Sequence, residues 1–221
     1  GFVFENHQDG KTVTAEDISE AMQRKIGFYD RGDDKYDLLS ALQKSIRGSD
    51  PDAAIYYFAR LVDGGADVQM IGRRLLVIAS EDIGMAYPSA ISITHACVSA
   101  ALMVGFPEAA INLAEAVIML ASSPKSNRSV MAYYKAMSDI KHKETDMVPD
   151  HLRDSHYKGA RDKGLGKDYK YPHDFGGYVK QQYLPDNLHA EGVRYYEPSE
   201  NGSEANFKRF LEELRKKYGD N

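Results

Sequence analysis

Apolar positions recur along the first two thirds of the chain at intervals of three and four residues, the period of amphipathic helices. Thr14-Ala15-Glu16-Asp17 reads as a capping box, and Ile18, Ala21, Met22 and Ile26 follow it, so a helix is predicted over residues 15–26. Leu38, Leu39, Leu42 and Ile46 mark a second helix that stops at Gly48. Asp50-Pro51 is the plainest helix start, because aspartate can take a free backbone N–H and proline suits the first helical position. Ala54, Ile55, Phe58, Leu61 and Val62 form its stripe, and Gly64-Gly65 ends it. Asp67 caps a helix over residues 68–83 that Gly84 closes.

Pro88 opens a helix over residues 89–104 that is apolar nearly all round, which predicts burial. Pro107 opens the next, residues 108–121, with the stripe Ala110, Ile111, Ala114, Val117, Ile118 and Ala121. Leu113, Met119 and Leu120 lie off that stripe. A helix with two apolar faces touches two neighbours, within the chain or across an oligomer interface, and these three residues are the candidate oligomer interface. Ser126 caps residues 127–142, with Val130, Tyr133, Tyr134, Met137 and Ile140 inside and Arg128, Lys135 and His142 outside. Periodicity is lost over residues 144–202, which carry Pro149, Pro172, Pro185, Pro198 and seven tyrosines. That segment is too aromatic for disorder. It predicts an ordered arm with short helices, its tyrosines packed on the helical body or on another subunit. An amphipathic helix over residues 204–218 ends the chain, through Phe207, Phe210, Leu211, Leu214 and Tyr218. The fold class is therefore all-α, with a Tyr/Pro/Gly-rich irregular extension and a C-terminal helix.

Charge adds a gradient. Residues 1–124 hold 10 basic against 17 acidic residues, residues 125–170 hold 11 against 7, and residues 171–221 hold 7 against 9. The middle block suits a phosphate backbone or an acidic peptide, although a solvated surface is the more common explanation of such charge. Arg73, Arg74, Lys125, Arg128 and Lys135 are the candidate contacts to DNA or a partner. A structural ion pair competes for Arg73-Arg74. Glu81-Asp82 sits near a helix C-terminus, against the helix dipole, and calls for a salt bridge from a neighbouring helix or a partner contact.

Catalytic patterns are missing. A phosphate-binding loop needs Gly-x4-Gly-Lys-Ser/Thr, and residues 159–164 come near but continue with Leu165-Gly166. His151, His156 and His173-Asp174 have no recognised metal spacing, and adjacent His173 and Asp174 point apart in an extended arm. The lone Cys97 excludes an intrachain disulfide and suits a reducing compartment. His95 lies on another helix face from it. No catalytic, cofactor or metal residue is assigned, and no run spans a membrane.

Several ordered blocks carry a resemblance. Lys35-Tyr36-Asp37-Leu38-Leu39-Ser40-Ala41 is followed by Lys44-Ser45-Ile46-Arg47-Gly48-Ser49-Asp50-Pro51-Asp52-Ala53-Ala54. Arg73-Arg74-Leu75-Leu76-Val77-Ile78-Ala79-Ser80-Glu81-Asp82-Ile83-Gly84 comes next, then Ser123-Pro124-Lys125-Ser126-Asn127. Tyr171-Pro172-His173-Asp174, Gln182-Tyr183-Leu184-Pro185 and Tyr195-Tyr196-Glu197-Pro198 complete the set. Together they resemble the C-terminal region of the RarA/MgsA AAA+ ATPases, replication-associated recombination proteins. The resemblance implies the end of an AAA+ helical lid over residues 1–34, a helical domain like the clamp-loader collar over residues 35–143 and a family-specific extension over residues 144–221. It also implies an ATPase core, with ATP and Mg, in an upstream segment outside this chain. Implied partners are other copies in a homotetramer, DNA (single-stranded or forked) and single-stranded DNA-binding protein, in the cytoplasm at the nucleoid. A stand-alone helical adaptor is the alternative, which requires residues 1–13 to fold back on the domain.

Overall fold

The computed structural model describes residues 14–15, 34–155 and 164–219. Apart from Thr14 and Ala15, the helix expected over residues 15–26 lies outside the described residues, as do residues 1–13 and residues 159–163 of the glycine near miss. The described residues are helical or irregular, with no strand among them. They fall into two compact units divided between Lys125 and Ser126.

The first unit holds α1 (Lys35–Arg47), α2 (Pro51–Asp63), α3 (Val68–Ile78), α4 (Ala90–Val104) and α5 (Ala109–Ser122). Aspartates start the first three. Asp34 accepts the Tyr36 and Asp37 N–H groups at 2.7 and 2.8 Å, Asp50 that of Ala53 at 2.8 Å, and Asp67 that of Met70 at 2.7 Å. α1 packs on α2, α2 on α5, α5 on α4 and α4 on α3. One core results, with Leu42, Ile46, Leu61, Ile71, Leu75, Ile78, Leu113, Val117 and Leu120 inside.

The helix expected over residues 68–83 stops being α-helical at Ile78 and continues as a π turn, Ala79–Ile83. The wider turn leaves Ala79, Asp82 and Ile83 all buried. Gly84 then takes φ 48°, and a short 3-10 turn, Gly84–Ala86, leads towards α4. α4 is buried on one side only, through Ala90, Thr94, Cys97, Val98 and Ala101, although it is apolar nearly all round.

Gly72 sets how closely α3 and α4 approach. A Cβ there would lie 2.6 Å from Val98 Cγ1. Val98 has one strongly preferred helical rotamer, so it cannot turn aside cheaply. Gly72→Ala is expected to lower stability by about 1 kcal/mol, overpacking outweighing the gain in helix propensity. Adding Val98→Ala should make the alanine at 72 neutral or favourable, which paired denaturation curves will show.

The second unit holds α6 (Arg128–His142), α7 (Asp186–Ala190) and α8 (Glu204–Tyr218), joined by an extended arm with 3-10 turns at Asp150–Leu152 and Pro172–Phe175. α6 falls in the second of the two compact units. Its helix starts one residue after Asn127, and Ser126 Oγ accepts the Arg128 N–H at 3.2 Å. No residue of α6 is fully buried. Tyr133, Tyr134 and Ile140, expected inside, are exposed. The side expected to face water is the one tied down: Asp139 accepts from Tyr195 Oη at 3.0 Å, and Lys135 donates to the Arg194 carbonyl at 2.5 Å.

Candidate functional site

The three residues proposed for an interface on α5 are not on its exposed side. Leu113 and Leu120 are fully buried in the chain's own core, so a second copy cannot reach them. Met119 is half-buried against the same core. Ile111 (72% exposed) and Ile118 lie outside with Glu115, at positions i, i+7 and i+4 of one face. More apolar side chains are exposed at the α4–α5 turn: Leu102, Met103 (87% exposed), Val104 and Phe106. Single exposed apolar residues are ordinary, whereas here four of them fall within five positions of the chain.

The five candidate basic residues do not share one task. Arg74 donates to Gln43 Oε1 at 2.9 Å and is half-buried. Lys125 closes the end of α5, donating to the carbonyls of Ala121 at 2.9 Å and Ser123 at 2.5 Å, and its burial pulls its pKa below the usual lysine range. Lys135 holds the arm and also meets Glu197 at 3.5 Å. Arg73 and Arg128 stand exposed on α3 and α6.

Two polar knots are built into the chain. In the first unit, Asp82 (5% exposed) accepts from Arg47 Nε at 2.5 Å and Gln43 Nε2 at 3.1 Å. Gln43 Nε2 also reaches Glu81 at 3.2 Å, and Arg47 pairs with Glu81 at 3.3 Å. The hydrogen bond with Asp82 holds the Arg47 guanidinium above its ordinary pKa. This answers the acidic pair at the end of α3 with a structural ion pair, as the helix dipole argument required.

In the second unit, Glu204 opens α8 with no exposed surface. Tyr196 Oη donates to it at 2.8 Å and Ser199 Oγ at 2.5 Å, and Ser126 adds a third side-chain bond. Burial alone would raise its pKa, and these hydrogen bonds bring it below the ordinary value. Tyr196 is pushed far up by burial and by its bond to that carboxylate. Sequence reasoning missed Glu204 because its partners lie in segments without periodicity. Its place in the first helical turn was the one available signal.

The remaining chemistry is sparse. Among the described residues no group of three or more His, Cys, Asp or Glu side chains could hold a metal. His151 bonds the Gln182 carbonyl at 2.8 Å, and the His173 ring meets that of Tyr171 at a tilt of 50° with centroids 5.0 Å apart. Burial raises the pKa of Cys97, which leaves it a poor nucleophile. A groove of about 450 Å³ in the second unit runs past Tyr178, Leu184, Leu211, Leu214, Arg194 and Arg215. No described helix is long and apolar enough to cross a membrane.

The helical body and its aromatic extension belong to a known class, the helical C-terminal portion of AAA+ ATPases. Residues 48–215 match the family described as "MgsA AAA+ ATPase C terminal", and residues 3–47 match "AAA C-terminal domain". The chain belongs to the RarA/MgsA family of AAA+ ATPases. It is 49% identical to replication-associated recombination protein A of Bacillus subtilis over 93% of this chain and 49% of the relative. The protein of that name from Escherichia coli K12 is 39% identical over 83% of this chain and 41% of its own length. "ATPase WRNIP1" of Dictyostelium discoideum is 37% identical over 81% of this chain and 21% of its own. The chain thus spans about half the length, or less, of these curated relatives.

Proposed function

We propose that this chain gathers copies of a replication-associated AAA+ ATPase into a homotetramer and docks them on DNA and partner proteins, single-stranded DNA-binding protein among them. ATP and Mg²⁺ would be held by residues of the ATPase outside these 221 residues, since the sequence has no Gly-x4-Gly-Lys-Ser/Thr run. The helical body would then take the place of a clamp-loader collar. The exposed apolar side chains at the α4–α5 turn and on α5 carry this reading, because Met103 and Ile111 are the kind of side chains a second copy buries. A tetramer of dihedral symmetry needs two different self-complementary patches. The exposed Tyr133, Tyr134 and Ile140 of α6 supply material for the other. Arg73 and Arg128 are the cations best exposed for phosphate.

Light scattering on the chain at micromolar concentration tests the reading. A tetramer mass supports it, and a monomer overturns it. Met103→Glu with Ile111→Glu should weaken association on the order of tenfold or more, because charge would enter a desolvated contact. Both positions are exposed in the single chain, so its helical circular dichroism should be unchanged.

A further inference from the structure

We infer that the arm over residues 167–183 is a stacking surface for single-stranded nucleic acid; this rests on the docking reading above and gives it a site. Tyr169, Tyr171, His173 and Phe175 are all exposed along one short stretch. The backbone that carries them is nevertheless held in place. The Gln181 side chain accepts from Lys170 N–H at 3.1 Å and donates to the Lys170 carbonyl at 2.8 Å, as a neighbouring strand would. The same amide donates to Tyr183 Oη at 2.8 Å, fixing a fifth exposed ring beside Lys170. Beyond Tyr171, the turn Pro172–Phe175 is closed by Asp174 N–H to the Tyr171 carbonyl at 3.0 Å and Gly177 N–H to that of Pro172 at 2.8 Å. Gly176 sits at φ 77°, a conformation that lets the chain turn directly after Phe175. The arm therefore displays rings on a fixed backbone and does not bury them.

The chemistry selects the ligand. Flat exposed rings suit nucleobases, whose faces are open in a single strand and closed in a duplex. Lys167 and Lys170 stand among the rings and can meet phosphates. Residues 167–183 hold three lysines against Asp168 and Asp174, so net charge is small. An acidic peptide would need more charge or an enclosed pocket. Stacking must supply most of the affinity, and the salt dependence should correspond to only about one or two phosphates.

Fluorescence anisotropy with a labelled short thymidine oligonucleotide tests this on the whole chain. Tyr169→Ala, Tyr171→Ala and Phe175→Ala together should weaken binding roughly 10- to 100-fold, whereas Tyr169→Phe with Tyr171→Phe should not. The unaltered chain should also bind an abasic oligonucleotide of the same length as weakly as the alanine variant binds thymidine. Equal affinity for the two oligonucleotides overturns the inference, as does displacement by polyglutamate at equal charge. An alanine variant that binds as the original does overturns it and leaves the docking reading standing, as does binding to forked duplex but not to single strands. Binding to none of these probes overturns both.

Discussion

Glu204→Ala will loosen the second unit by about 3 kcal/mol, the range reached when a buried anion that several donors share is removed. Tyr196 and Ser199, half-buried, and Ser126, buried, would each lose an ionic acceptor. The first turn of α8 would also lose a negative charge that its N-terminal dipole favours. Hydrogen exchange should show the loss at residues 195–206 and in the first turns of α6 and α8. Leu42 and Ile46, in the other unit, should keep their protection. Glu204→Gln keeps the shape and one acceptor oxygen, and should lose roughly half as much.

The same carboxylate makes the extension acid-sensitive. Its folded pKa lies below the ordinary 4.5, so its contribution is fully present above the unfolded value. Stability is lost as pH falls through about 4.5 towards the folded pKa. The glutamine variant cannot titrate there, so the difference between it and the original chain should shrink below about pH 4. An unchanged difference at pH 3 would show that the Glu204 carboxyl is not held below its unfolded pKa.

The caps and most helix starts were legible because they are local. Asp50-Pro51 and Asp67 act on N–H groups three residues away, and nothing distant is needed to place them. The buried face of α5 was not legible from period alone. Ala109, Leu113, Ala116, Val117 and Leu120 fit a helical stripe as well as Ala110, Ile111, Ala114, Val117 and Ile118 do. Glu115, four residues after Ile111 and three before Ile118, marks the solvent side and was the discriminating signal. On α6 the failure has another cause. Lys135 and Asp139 look like surface residues, yet Arg194, Glu197 and Tyr195 come from nearly 60 positions along the chain to meet them. The π turn was hidden for the same reason, since Asp82 is drawn inward by Gln43 and Arg47 of another helix. Of the candidate site, charge alone was visible. Which cations close helix ends and which stay exposed depends on carbonyls that only the fold brings near.

Asp82→Ala should be the most damaging change in the first unit, at about 2–3 kcal/mol. Removing one member of a fully buried ion pair costs about 3–5 kcal/mol. The figure is lower here because Arg47 is 49% exposed and can turn to water or to Glu81. Gln43 has no such escape. It is nearly buried, and its amide nitrogen would keep only Glu81 at 3.2 Å, while Arg74 stays on its oxygen at 2.9 Å. Asp82→Asn retains an acceptor for Arg47 but sets an amide against the Gln43 amide, and should cost about 1–2 kcal/mol. The position matters because Arg47 ends the segment matched by one AAA+ family and residue 48 begins the other. The knot ties the last turn of α1 to the π turn after α3 across that join. Asp82→Leu combined with Gln43→Leu removes both buried polar groups and should regain most of the lost stability, since an apolar pair of that size needs no partner. If urea denaturation finds the double variant no better than Asp82→Ala, the π turn needs its carboxylate for geometry and not for charge.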